Sequence, residues 1–455
     1  MKEKGPILLN SMEEKLQLEV VREDGNTIKY IDNPSLELQL EAVRHDGLVI
    51  QYIKNPSLEV QLKAVKQDGH SIKYIDNPSL EIQLEAVKED PSNIQFIDNP
   101  LEQVQLEAVR QDGCAIKYIN NPTEQVQLEA VRENGYALEY IKNPSEEVQL
   151  EAIRQNGHVI RYIKNPTLKV QLEAVKRNGF YVRYIDNPLE EVKLKAVKQD
   201  GNAIYYIKNP SLEVQLEAVK EDGHAICYID NPSLEVQLEA VRDGYFIQFI
   251  KNPSLKVQLE AVKRNGFSIR YIDNQLEEVK LKAVKQDGRA IEYIDNPTEQ
   301  VLLEAVKQDG RAIEFINDPS EEIKLEAVKQ DGLVIKFIDE PSEEIKLEAV
   351  KQNGNSIKYI DNPSEEVQLE ALRENGHAIQ YIDNPTSYIE SILDVINTSH
   401  RLIYVLHEPN KEPLFSTGCQ NNITKNYFIW RIYNMNGGLE KNPHRQEYLD
   451  IINRY

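Results

Sequence analysis

The chain has 455 residues, of which 40% are hydrophobic, 28% charged and 7% aromatic, enough apolar material for a core and too ordinary a composition for a disordered segment. Its formal net charge of −22 disfavours direct DNA or RNA binding, because non-specific affinity for phosphate backbones comes from Lys and Arg displacing counterions. No run approaches the roughly 18 apolar residues of a membrane span, and Cys114, Cys227 and Cys419 are too scattered for a disulfide framework or a zinc knuckle.

Residues 1–11 read as a lead-in without the apolar core of a signal peptide. The expected location is therefore the cytoplasm, the host cytoplasm if the gene is viral, and the glycosylation acceptors at Asn397 and Asn422 are expected to be idle.

From residue 12 to 384 the chain repeats. Prolines, nearly all preceded by Asn, recur every 22 residues from Pro34 to Pro232, then once at 21 (Pro232 to Pro253), then again at 22, with Gln275 in one proline slot, as far as Pro385. Counting Met12 as the first slot gives 17 units. Residues 386–455 carry seven acidic and seven basic side chains, so the whole acidic excess lies in the repeats.

In the unit Asn55 to Asp76, NPSLEVQLKAVKQDGHSIKYID, Asn55 is expected to cap a helix over about Pro56–Asp68, with Gly69 closing it in a left-handed conformation. In other units a Glu three residues after the Asn, such as Glu146, suggests a capping box. The segment after the glycine has room for about two turns of α- or 3₁₀-helix before the next Asn-Pro. Seven apolar slots hardly vary along the chain and are expected to form the core: Val60, Leu62, Ala64, Val65, Ile72, Tyr74 and Ile75. On the first helix they span roughly 200°, too wide a face for one unit to bury, so neighbours must stack on both sides. Stacking at about 8–10 Å per layer implies a curved rod of roughly 140–170 Å contour length. Gln61 lies inside the apolar arc. Either it bonds backbone groups of an adjacent Asn-Pro turn or it sits at a groove edge with access to water.

The VQLEAV that follows each Asn-Pro resembles leucine-rich variant repeats, in which a D/N-P turn leads a helix with a V-x-x-x-A-V pattern, and it resembles HEAT-type solenoids too. With AVKQDG and the aromatic beyond it, the unit is most similar to a family of short helical repeats of unknown function found in large viruses, phages and some bacteria. The likeness covers roughly 370 residues. It implies an all-α, right-handed α-solenoid of helix-turn-short-helix repeats and no enzymatic activity. In leucine-rich variant repeats the slot of Gln61 is usually basic, which leaves the environment of that helix face open.

Most charged residues recur at fixed phase. The Lys66 slot is basic in all 17 units, as expected of a ladder that offsets the helix dipole and pairs with Glu one turn back. His70, His158, His224 and His377 share a slot in units that are not neighbours, so no metal site and no cofactor are expected. Individuality lies in the two slots after the glycine and the one before the aromatic. There the central units carry Phe180, Tyr181 and Arg183, then Tyr205, then Tyr245 and Phe246, then Phe267 and Arg270. Exposed aromatics beside arginine are what interface hot spots enrich; the competing reading has these side chains filling gaps between short helices. Two blocks are near copies 87 residues apart, KVQLEAVKRNGF at 169–180 and 256–267, and LEEVKLKAVKQDG at 189–201 and 276–288.

Residues 385–455 abandon the pattern. SYIESILDVIN (387–397) reads as a closing amphipathic helix, RLIYVLHEP and NYFIWRIYN as two strands, and HRQEYLDIINRY as a final helix. Together they make a small α+β module or cap, with His407, Glu408 and Cys419 as its polar candidates for a site. The sequence as a whole reads as a non-enzymatic scaffold for a protein partner. An acidic nucleic-acid mimic and a small enzymatic activity in the C-terminal module are the alternatives.

Overall fold

The computed structural model describes residues 9–387, 389, 393–397, 402–417, 420–434 and 445–455. It is an α-solenoid in two compact units. Met1–Asp230 holds ten pairs of an α-helix and a 3₁₀ helix; Asn231–Tyr455 holds seven pairs and the C-terminal module.

The repeat is built from one conserved sequence of turns. In the unit beginning at Asn55 the α-helix is Leu58–Gln67, two residues later than the Asn-Pro reading places it. The cap is Ser57, whose hydroxyl accepts from the Val60 N–H at 3.4 Å. Asn55 is instead the left-handed residue, at φ 49°, a conformation Asn tolerates better than other side-chain-bearing residues. Asp68 ends the helix in extended conformation, and its carboxylate accepts from the His70 N–H at 2.9 Å. A single side chain thus stops the α-helix and caps the 3₁₀ helix Gly69–Tyr74.

The glycine is not left-handed, contrary to expectation. It is needed because the next repeat comes too close: a Cβ on Gly113 would lie 2.3 Å from the Ala130 carbonyl oxygen. Pro91 occupies the same slot in one repeat and opens the 3₁₀ helix Pro91–Phe96, which a slot requiring positive φ would forbid. Only the 21-residue repeat has the expected turn. There the α-helix stops at Ala240, one 3₁₀ turn spans Val241–Asp243, and Gly244 takes φ 81° before Tyr245–Phe249.

Nor does Glu146 turn back to close a capping box. Glu146 reaches forward instead and accepts from the Thr167 hydroxyl of the next repeat at 2.7 Å, which lowers its carboxyl pKa. Ser320 and Glu299 make the same link at 2.5 Å.

Val60, Ala64, Val65, Ile72 and Ile75 are buried, as are most of their counterparts along the chain; the exceptions are Leu16, exposed in the first repeat, and the half-buried Val20 and Ile379. Leu62 is only half-buried, because it stands 200° from Val60 on the helix wheel and lies at the edge of the buried arc. Tyr74 is 39% exposed, which removes the aromatic ladder from the core. A slot not expected in the core replaces it, the second after the glycine, where Ser71, Ala115 and Val159 are buried. Gln61 bonds the turn of its own repeat: its amide donates to the Pro56 carbonyl at 2.8 Å, and the glutamines from Gln39 to Gln171 do likewise.

The module is a four-stranded antiparallel sheet in the order β1 (Leu393–Asn397), β2 (Leu402–Leu406), β3 (Leu414–Thr417), β4 (Gln420–Thr424), followed by helices Lys425–Asn434 and Arg445–Arg454. Leu393 faces Leu406 across β1 and β2, and Ile403 faces Thr417 across β2 and β3. Two expectations fail here. Leu393–Asn397 is a strand rather than the end of a helix. NYFIWRIYN, rich in β-branched and aromatic residues, is helical because Phe428 and Ile429 pack from one helix side onto the core of Ile403, Val405 and Phe415. The other sheet face meets the last repeat. Tyr404 stands edge-on to His377 with centroids 4.5 Å apart, and the Ser416 hydroxyl accepts from the Gly376 N–H at 3.2 Å.

Candidate interaction surface

A 3₁₀ helix has three residues per turn, so side chains at i and i+3 eclipse. Numbering the six residues from the glycine, slots 1 and 4 face the core, slots 2 and 5 share the solvent side, and slots 3 and 6 share the third side. Slot 3 is small in most repeats, because it packs over the glycine of the preceding repeat. Tyr181 and Phe246 break this rule and are half-buried. Each lies beside the slot-6 ring of its own helix: Tyr181 is 6.4 Å from Tyr184, and Phe246 stacks on Phe249 at 6.4 Å.

In the first compact unit, the predicted residues join a continuous set of rings across four repeats. Tyr181 rests against His158, whose Nε2 bonds the Tyr184 hydroxyl at 2.8 Å. Burial holds the His158 imidazole below its ordinary pKa, with Arg161 and Arg183 adding to the effect. Arg183 lies between two rings, 4.6 Å from the centroid of Tyr184 and 5.5 Å from that of Tyr206, and donates to the Tyr184 hydroxyl at 2.7 Å. Phe180 meets Tyr206 edge-on at 5.9 Å. Tyr205, 63% exposed, bridges Tyr206 and Tyr228 at 4.8 and 5.2 Å.

The second compact unit contains the copied block, and the cluster is reproduced within it. Phe267 meets Tyr293 edge-on at 6.0 Å, and Arg270 lies 4.6 Å from Tyr271 and 5.7 Å from Tyr293. Tyr245 is 60% exposed. The rings that complete these clusters, Tyr184, Tyr206, Tyr228, Tyr271 and Tyr293, are ladder residues that periodicity assigned to the core. Tyr206 and Tyr228 are exposed and Tyr184, Tyr271 and Tyr293 half-buried, although the slot 3 that shares their side is buried in most repeats. The same pairing of a slot-5 cation with the neighbouring ring recurs at Lys73 and Tyr74, Lys117 and Tyr118, and Lys336 and Phe337.

The α-helical face is different in character. Its basic ladder pairs with glutamates in the same helix, as Arg44 does with Glu41, and in the next repeat, as Arg110 does with Glu129 at 2.9 Å. Glu41 is held below the usual carboxylate range chiefly by its bond to Arg44.

The candidates in the module are not brought together. His407 Nε2 lies 3.4 Å from Asp394, which also bonds the Tyr455 hydroxyl. Glu408 points to the last repeat, where it accepts from Arg373, and it pairs with Lys411 of the module at 2.9 Å. Cys419 lies outside the described residues. Burial pushes the Cys114 thiol above its ordinary pKa, away from a reactive thiolate. Among the described residues no group of three or more His, Cys, Asp or Glu is placed to hold a metal, and no helix is long and apolar enough to cross a membrane.

No curated protein and no solved structure matches the chain. A family model described as Domain of unknown function (DUF4116) matches residues 79–122, 167–213, 254–297, 298–342 and 320–363, each stretch about two repeats long. The chain is thus a helical repeat protein whose repeat pairs are similar to that domain.

Proposed function

We propose that the chain is a non-enzymatic scaffold that binds a protein partner through the 3₁₀ face of its repeats. One observation carries this reading: the rings of the aromatic ladder are exposed or half-buried while most of the aliphatic ladder residues are buried, and the rings are interleaved with cations. Rigid rings and stacked guanidinium groups supply contact area at low entropic cost, which is why such residues dominate interface energetics. The residues most involved are Phe180, Tyr181, Arg183 and Tyr205 in the first compact unit, and Tyr245, Phe246, Phe267 and Arg270 in the second. The nucleic-acid mimic has less support, because the pairing of Lys and Arg with Glu along the helices neutralises much of the acid a mimic would need. A reducing, cytoplasmic setting accords with the free thiols of Cys114 and Cys227.

The test is affinity capture from cells that express the protein. Replacing Arg183 and Tyr205 together by Ala should weaken retention of the main partner at least tenfold. Replacing Lys66 and Glu85 on the helical face should leave it within twofold. The reverse pattern rules out the 3₁₀ face.

A further inference from the structure

Two departures from the repeat flank one groove in the second compact unit. On one side is the 21-residue repeat, with its 3₁₀ helix Tyr245–Phe249. On the other is the turn where Gln275 replaces proline; its side chain donates to the Tyr293 carbonyl at 2.8 Å and accepts from the Asp295 N–H at 3.1 Å. Between them, segments 248–253 and 270–274 line an open groove of about 740 Å³, within the size range of a ligand or short-peptide site.

The walls carry unspent binding capacity. Arg270 is fixed between Tyr271 and Tyr293, yet no carboxylate lies within ion-pairing distance of it among the described residues, whereas Arg242 and Arg264 in the same unit pair with Glu239 and Glu260. Lys251, also on the wall, has no ion pair either among those residues. Gln258, on the lining too, is spent on the repeat itself: it donates to the Pro253 carbonyl at 2.9 Å, as its counterparts do along the chain. Phe249 and Tyr271 add ring surface, and Asp273 leaves the charge of the lining at plus one, from Lys251 and Arg270 against one acid.

We infer that this groove binds an extended peptide segment of the partner that carries a single carboxylate side chain. The guanidinium edge of Arg270, with Lys251 on the same lining, takes the carboxylate, and the rings of Phe249 and Tyr271 pack the flanking side chains. A net charge of −22 repels a strongly acidic segment, so the carboxylate sits in an otherwise uncharged or basic stretch. The inference rests on the scaffold reading and gives it a recognition chemistry.

The experiment pans a random nonapeptide phage library on the full chain, with the Arg270→Gln chain as counter-selection. Enriched peptides are expected to share Asp or Glu at one fixed position. In fluorescence anisotropy, Arg270→Gln should weaken them at least tenfold and Arg270→Lys by less, while Arg264→Gln leaves binding within twofold. Changing the peptide acid to its amide should cost the same tenfold, and the two changes together no more than either alone. Circular dichroism and thermal unfolding establish that each variant is folded. Peptides without a fixed acid, equal binding to Arg270→Gln, or no enrichment over counter-selection each overturn the inference. A partner still captured through Arg183 and Tyr205 in those cases shows that the groove has failed and the scaffold has not.

Discussion

At the scale of single residues, the repeat is decided by three small side chains with separate tasks: a left-handed Asn, a capping Ser or Thr, and a glycine that lets the next repeat approach. The Asn-Pro pair was plain in the sequence, but Asn suits both an N-cap and a left-handed turn, and the capping reading drew attention from Ser57. Pro91 in the glycine slot was the clue that this position is not left-handed. The left-handed slot makes a prediction of its own. Glu340 holds φ 47° where most repeats place Asn, and a Glu side chain gains nothing locally to offset that conformation. Glu340→Asn should therefore stabilise the protein by about 0.5–1 kcal/mol, of the order of the left-handed penalty. Urea unfolding checks this, with Glu340→Gln as a control that should shift nothing; an unchanged or lower midpoint for the Asn variant contradicts the assignment.

At the scale of elements, the 22-residue period, the helix followed by a short helix, and the final helix were legible, because each rests on local signals repeated many times. The C-terminal sheet was not. Leu393–Asn397 and the short strands around Gly418 are defined by pairing with one another, and a helix packed on a sheet can be as rich in aromatics as a strand. The sheet closes the last repeat through charge and burial, which makes its docking sensitive to acid. Burial holds the His377 imidazole below its ordinary pKa of 6.5, so the unfolded chain binds that proton more readily and stability falls as pH drops through and below about 6.5. The bond to Arg373 holds the Glu408 carboxyl below its ordinary value, a contribution present above the carboxylate range and lost as pH falls through it. Glu374 opposes both, since burial raises its carboxyl and protonation in the fold then stabilises. Hydrogen exchange of residues 402–417 should accordingly quicken, relative to the repeats, between pH 7 and 5.5, and His377→Leu should flatten that dependence. A response that survives the substitution would remove His377 from the account.

At the scale of the whole molecule, regularity explains folding and irregularity points to function. The aliphatic ladders make each repeat the support of its neighbours, and the cross-repeat pairs of Lys or Arg with Glu restrain a chain that carries 22 more acidic than basic side chains. Of the eight residues singled out from the sequence, the structure places Arg183, Tyr205, Tyr245 and Arg270 in the open and Phe180, Tyr181, Phe246 and Phe267 half-buried against ladder rings. The ladder tyrosines themselves escaped notice because an invariant aromatic at fixed phase has the sequence pattern of a core residue. The copied block carries the Phe, Arg and Tyr arrangement into each compact unit, so both should respond to a partner. The most direct measurement is hydrogen–deuterium exchange of the full chain with and without its captured partner. The account predicts protection centred on the 3₁₀ segments 179–184, 201–206 and 266–271. Protection confined to the α-helices or to residues 393–455 would contradict it.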